Sequence, residues 1–442
     1  RIAAAAALVA TDDAIRSSQL ELAVARTEVG DDGVEPFTAA LDLSREQLGR
    51  AFATLRHAQE GADTDAERTL LEQILAECAA IDARLDDLVP RFDALRDLEA
   101  RAAEALAHMT STLRTLEDRL AGSAATADAL RTQYPRATIV SALDDLDQAT
   151  ERLRFAGASV ATGRQLLDSG DRAGAAACAR AAEEALTQAG TLLDSVDRSP
   201  KVLAKAQDAV TTMLAQTEQD IAEAERLGVT DDLAAKGRYA RETLGWAGEE
   251  VSSGGYDPLE MRRALQDTDL ALGRALGPTR TDDDTQERAI SLLATCWYGA
   301  RATVRAADEL LMTRRGAVGV EARARLWEAR SRYLQGTALG ESDPTTALRH
   351  LRTADSLAYQ SRTLAQQDEA SWRNTRRMAA GLDPLDAMRL GGILIESSTG
   401  PMVPRGARAA AGATAQSSLG PPSFGGPSTR GRRVGQAHFP GS

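Results

Sequence analysis

Apolar residues recur along this chain at helical spacings of three and four. Leu71, Ile74, Cys78, Ile81, Leu85 and Leu88 form one stripe. Leu95, Leu98, Ala102, Leu106, Met109, Leu113, Leu116 and Leu120 form a second, a coiled-coil seam with one slip. Each stripe is the face of a helix that packs on another. Leu8, Ile15, Leu22 and Val29 repeat every seven residues, and no convincing period-two run marks a strand. The stripes stop at turn chemistry: "GDDGVEPF", "EGADTDAE", "QYPRA", "DSGDR", "RSPK", "LGVTDD", "GGYDP", "LGPTRTDDD", "RRGAVG", "ESDP" and "GLDP". Between these breaks lie helices of roughly 20–35 residues that group in threes. The pattern predicts helical units at 1–90, 91–198, 200–277 and 283–380, and a tail over 381–442. Pro90 is either a boundary or a kink, because the leucine seam continues past it.

Asp171, Asp257 and Asp343 lie 86 residues apart, each ahead of an alanine- and leucine-rich run. Downstream, Ala179, Leu265 and Leu351 align, as do Ala185, Ala271 and Leu357. Asp257 precedes Pro258 and stands three before Glu260, the signature of an N-cap, a first-turn proline and a capping box. Asp343 with Pro344, Ser199 with Pro200 and Asp383 with Pro384 repeat the pairing. The aspartates are therefore expected to cap the third helix of each group rather than to do catalysis. The copies form a weak repeat of helical hairpins.

Composition narrows the class. Aromatics are only 4% of the chain and much of the 43% apolar share is alanine, which suits thin bundles of closely packed helices better than a large globular core. The net charge is −13. From Gly391 onward, five arginines face one glutamate, so the tail carries +4 and the rest −17. An acidic body lacks the basic surface that nucleic acid requires. Gly, Pro and Ser fill 24 of those last 52 positions, a composition expected to be disordered. Cutting the chain after Met388 is expected to leave unfolding unchanged.

Catalytic chemistry finds no constellation. Cys78, Cys178 and Cys296 are far apart, lack CxxC spacing and fall on apolar seams, as expected of a reducing compartment. His57, His108, His350 and His438 belong to no metal-ligand spacing. There is no GxSxG, GxxxxGK[ST] or GxGxxG. "TRTDDDTQE", 279–287, lacks the glycine and ligand spacing of a calcium loop and reads as acids at a helix start. Trp297, Trp327 and Tyr333 are expected to plug the core of the fourth unit. No catalytic, cofactor-binding or metal-ligating residue is assigned, and no cofactor is expected.

The first residue is Arg1, so the chain is expected to be a fragment. Ile2 to Ala10 is nine apolar residues, too short to span a bilayer. "LVATDDAIRSSQLELAVARTEVGDDGVEPFTAAL" (8–41), "FDALRDLEA" (92–100), "DQATERLRFA" (147–156) and the tail pattern "GGILI…PPSFGGPSTRGRR" resemble the C-terminal region of actinobacterial TPM-domain membrane proteins. The resemblance implies a TPM domain and one membrane helix upstream, neither present in this chain, with this region on the cytoplasmic face of the cell membrane. TPM domains are linked to phosphatase activity in some relatives, but no catalytic residue carries over. The tail departs from the family, with "STGPMVPRGARAAAGATAQSS" where glycine runs are usual. The expected fold is an all-α elongated array of three-helix bundle or coiled-coil units, in the style of spectrin repeats, with a disordered tail. Whether the units run straight or fold back is open, as is the oligomeric state. The expected function is a non-enzymatic spacer or interaction scaffold with protein partners. The alternative is a regulatory region of a membrane-bound TPM-type phosphatase.

Overall fold

The computed structural model describes residues 1–60, 64–227, 231–277, 280–340, 342–380, 385–396 and 419–432. The fold is all-α, an elongated array of helical units. The first unit is α1 (Ile2–Glu60), which breaks at Gly30 (φ 80°), together with α2 (Thr64–Arg96). The second is α3 (Ala102–Gln133), α4 (Arg136–Asp168) and the first half of α5 (Arg172–Leu227). The third is the rest of α5 with α6 (Asp231–Ser253) and α7 (Pro258–Leu276). The fourth is α8 (Asp282–Arg314), α9 (Val320–Leu339) and α10 (Pro344–Ala380).

The apolar stripes become the cores. Leu8, Ile15 and Leu22 pack on Ile74, Ile81 and Leu85 in the first unit, while Val29, beside the break, is exposed. Leu106 and Met109 meet Cys178, Ala182 and Ala185 in the second. Alanine at these contacts lets the helices approach closely. The three repeated aspartates cap helices as expected. The Asp171 carboxylate accepts from Gly174 N at 2.8 Å, Asp257 from Leu259 N at 2.8 Å and Asp343 from Thr346 N at 3.1 Å. Glu260 does not complete a capping box with Asp257; it pairs with Arg263 at 2.7 Å instead.

Several expected boundaries move. Pro90 lies inside α2, and the first unit ends at the turn around Asp97 (φ 39°). Pro200 lies inside α5, so Ser199 caps nothing and the expected break at 198–200 is one continuous helix. Packing on α4 before the proline and on α7 after it holds α5 in line. At 1.5 Å per residue, 56 residues make a helix about 84 Å long. A 442-residue globule with a radius of gyration of ~22 Å would be only about 57 Å across. The array nevertheless folds back, because α8 packs along α5 and α9 along α1. The Asp383–Pro384 pair lies outside the described residues.

The expectation of disorder over 381–442 fails for two stretches. In the first, α11 (Asp386–Leu390) and the residues after it place Met388, Ile393 and Leu394 in the core of the second unit. In the second, Phe424 stacks on Phe92 at 4.2 Å and meets Phe37 edge-on at 5.6 Å. Ser18 Oγ accepts from Gly425 N at 3.1 Å, and Asp86 from Gly426 N at 2.9 Å. A two-residue antiparallel pair, β1 (Ile395–Glu396) with β2 (Leu419–Gly420), joins the stretches, and α12 (Pro427–Arg432) follows. Composition averaged over the tail hides these anchors, because a few buried side chains suffice to hold a polar segment.

Asp257→Ala should lower stability by about 0.5–2 kcal/mol by removing its cap, measured by urea unfolding. Cutting after Met388 should lower the unfolding midpoint, the reverse of the compositional expectation. Phe424→Ala alone should cost about 3 kcal/mol.

Candidate functional site

The four bulkiest fully buried side chains are arginines: Arg152, Arg314, Arg315 and Arg323. They converge where α8 ends. A helix leaves its last carbonyls without intrahelical donors and its C-terminus partly negative. Here guanidiniums from other helices supply the donors. Arg152 Nη2 on α4 donates to Thr313 O at 2.8 Å, and Arg323 Nη2 on α9 donates to Arg315 O at 2.8 Å.

Each buried cation must be neutralised or fully hydrogen-bonded. Arg314 Nη2 donates to Asp144 at 2.6 Å and lies 3.5 Å from Asp145. Arg315 bonds to Glu184 and donates to Gly392 O at 3.1 Å. Arg323 reaches the first unit, where it bonds to Asp12 and lies 2.8 Å from Asp13. Arg16 also donates to Asp12, at 3.0 Å, and spans to Asp308 on α8 at 3.0 Å. Arg152 differs, since its acceptors are neutral: Gln188 Oε1 at 2.9 Å, Gln148 Oε1 at 2.8 Å and the backbone. Burial, reinforced by the charge of Arg314, pulls its guanidinium down to about 9. Burial works against the Asp12 carboxylate too, but Arg16 and Arg323 outweigh it and hold the group well below the usual range.

The first tail stretch closes this hub. Gly316 N donates to Leu390 O at 2.8 Å. A Cβ on Gly316 would sit 1.9 Å from Arg389 O, so no other residue permits the approach.

Two further clusters fasten the units. Arg96, at the end of α2, donates to Glu21 at 2.8 Å and to both oxygens of Glu183 on α5 at 3.0 and 3.1 Å. Burial and the neighbouring Glu21 push Glu183 up to about 7 against the pull of Arg96. Between the third and fourth units, Arg262 grips Asp355 at 3.1 and 3.2 Å, and Thr303 donates to the same carboxylate at 2.6 Å. Where α8 crosses the middle of α5, a cleft of about 340 Å³ opens beside a second of about 330 Å³ that shares its walls. Val202, Leu259, Tyr298, Ala302 and Ala306 line both, with Arg362 between them.

The residues singled out by sequence fall elsewhere. Cys78 and Cys178 are buried and Cys296 half-buried; burial raises all three thiols, Cys178 to about 11, so they stay protonated and unreactive. His57 and His108 are exposed and His350 half-buried, while His438 lies outside the described residues. Among the described residues, no group of three or more His, Cys, Asp or Glu could hold a metal ion. Within "TRTDDDTQE", Thr281 and Asp284 form a reciprocal capping box on α8. Trp297 and Tyr333 do meet in the core of the fourth unit, 6.5 Å apart. Trp327 does not: it stacks on Phe52 of the first unit at 6.1 Å and donates to Asp12 at 3.4 Å. Sequence reasoning missed the arginine hub. Its signal was present, since Arg152 falls on the buried stripe with Ala149, Ala156 and Ser159.

Two proteins of Mycobacterium tuberculosis match the chain: UPF0603 protein Rv2345 (strain ATCC 25618 / H37Rv) and UPF0603 protein MT2410 (strain CDC 1551 / Oshkosh). Each is 31% identical over 406 residues, covering 88% of this chain. The chain spans 60% of the length of these relatives. No family model and no solved structure matches it. Among the described residues, no helix is long and apolar enough to cross a membrane.

Asp12→Ala should destabilise the chain by about 3–5 kcal/mol, because Arg16 and Arg323 lose their shared counter-charge; chemical denaturation measures it. The raised carboxyl of Glu183 sets a pH dependence. From its ordinary value of about 4.3 up to about 7, the folded chain holds a proton that the unfolded chain releases, so stability falls as pH rises. The melting temperature should be higher near pH ~5 than near pH ~8, and Glu183→Gln should shrink the difference.

Proposed function

We propose that this chain is a non-enzymatic helical scaffold and spacer, the cytoplasmic region of a membrane-anchored TPM-domain protein. The observation that carries this reading is the hub at the end of α8, where side chains from α1, α4, α5 and α9 and the first tail stretch tie the first, second and fourth units together, while Arg262 and Asp355 fasten the third unit to the fourth. A spacer needs such rigidity, since a loosely strung array would not hold partners at a fixed distance. The stretches that carry the TPM-protein resemblance also contain much of the fastening chemistry: Asp12, Arg16 and Glu21 in the first, Arg96 in the second, Gln148 and Arg152 in the third, Gly392 and Phe424 in the tail. Among the described residues, the three cysteines are protonated and the buried carboxylates of the hub are engaged by arginine, so neither set supplies a poised nucleophile.

The M. tuberculosis relatives extend beyond the matched region and offer the test. Deleting the region that aligns with this chain from one of them should leave any phosphate-ester hydrolysis measured for the full protein unchanged and remove the protein neighbours captured by in-cell cross-linking. A changed hydrolysis rate with unchanged neighbours would overturn the scaffold in favour of a regulatory role.

A further inference from the structure

We propose that the cleft between α5 and α8 is a docking groove for an acidic, amphipathic peptide segment of a protein partner, an inference that rests on the scaffold reading above. Three observations carry it. The first is local charge. In a chain of net charge −13, the two adjoining cavities are lined by eight Lys or Arg side chains and only three Asp or Glu. Two of the chain's three lysines, Lys201 and Lys205, stand there.

The second observation is that the acids present are already engaged. Glu309 accepts from Arg198 at 2.6 Å and from Arg305 at 2.8 Å. Asp208 pairs with Lys205 at 3.2 Å, and Asp145 lies 3.5 Å from Arg314. Among the described residues, Lys201, Arg301 and Arg362 form no salt bridge within 4 Å; Asp145, already held by Arg314, attracts Arg362 only at longer range, and Arg301 overlies the Trp297 ring at 5.3 Å. Arg362 stands at the joint of the two cavities with its Nε buried and without a hydrogen-bond acceptor. Beside it, Arg263 lies 3.5 Å over the Tyr359 ring, and its Nε is also unmatched. An unmatched guanidinium nitrogen also occurs at Arg96, Arg314 and Arg315, but there other nitrogens of the same group reach carboxylates. Among the described residues Arg362 forms no salt bridge of its own, and a guanidinium in that state at a cavity wall can take a carboxylate side-on.

The third observation is shape. The groove is two cavities long, with apolar residues Val202, Leu259, Tyr298, Ala302 and Ala306 common to both and cations along its walls. A helical segment with apolar residues on one face and acids beside them matches that cross-section, as in other helix-in-groove contacts.

The test uses the whole chain and a fluorescein-labelled peptide of about 14 residues with Leu and Glu at helical spacing, read by fluorescence anisotropy. The peptide should bind, and binding should weaken steeply between about 0.05 M and about 0.5 M salt. Arg362→Gln and the double variant K201Q/R301Q should each weaken it about tenfold or more, while R68Q, on α2 away from the groove, should not. Arg362→Gln should leave the melting temperature unchanged or raised, because it removes a charge whose burial cost no salt bridge within 4 Å offsets. Lack of peptide binding overturns the proposal, as does binding indifferent to these variants. So does a melting temperature lowered by Arg362→Gln, which would make the residue structural. Equal, Arg362-dependent binding of inorganic phosphate or of phosphatidylglycerol vesicles also overturns it, assigning the groove to a phosphate group or a membrane surface. None of these failures touches the deletion experiment on the relatives, so the groove can fall while the scaffold stands.

Discussion

The C-terminus of α8 is the point on which the architecture turns. Its unfilled carbonyls attract positive charge, and the chain answers with guanidiniums from two other helices and two consecutive arginines of its own. Four buried cations in one neighbourhood repel one another. They are tolerable only because Asp12, Asp13, Asp144, Asp145 and Glu184 arrive from α1, α4 and α5. The acids come from the first and second units and the end of α8 from the fourth, so neutralising the hub and joining these three units are the same event.

This arrangement trades stability for definition. Apolar replacements at such positions often leave a protein equally or more stable. Alanine-rich seams, however, specify poorly which helix should meet which, because one small apolar face resembles another. A buried arginine with a distant aspartate as its partner tolerates a single arrangement. The two tail stretches add to it: one seals the hub through Gly316 and Leu390, and the other fills the first unit with Phe424.

The groove along α5 follows from the same fold-back. Where α8 crosses α5, Glu309 joins the two helices through Arg198, and the surfaces on either side of that contact do not close. Lys201, Arg301 and Arg362 there contrast with Arg96, Arg314, Arg315 and Arg323, each of which meets a carboxylate.

The helices themselves were legible in the sequence, because helical periodicity and capping are local. The Ile74–Leu85 stripe, the three aspartate caps and the grouping in threes can be read from neighbours a few residues apart. Pro200 and Pro90 misled because a proline's local preference can be overridden by packing on both sides, which no local pattern displays. The tail misled because disorder was judged from average composition while anchoring depends on a few residues such as Met388, Ile393 and Phe424. The hub was illegible for a further reason. A charged residue on an apolar stripe signals a buried contact but not its partner, and Arg323 finds Asp12 across 311 residues of chain. Sequence determined the helices and their caps; only the tertiary structure decided which buried charges would meet, because neutralising a charge depends on distance in space and not along the chain.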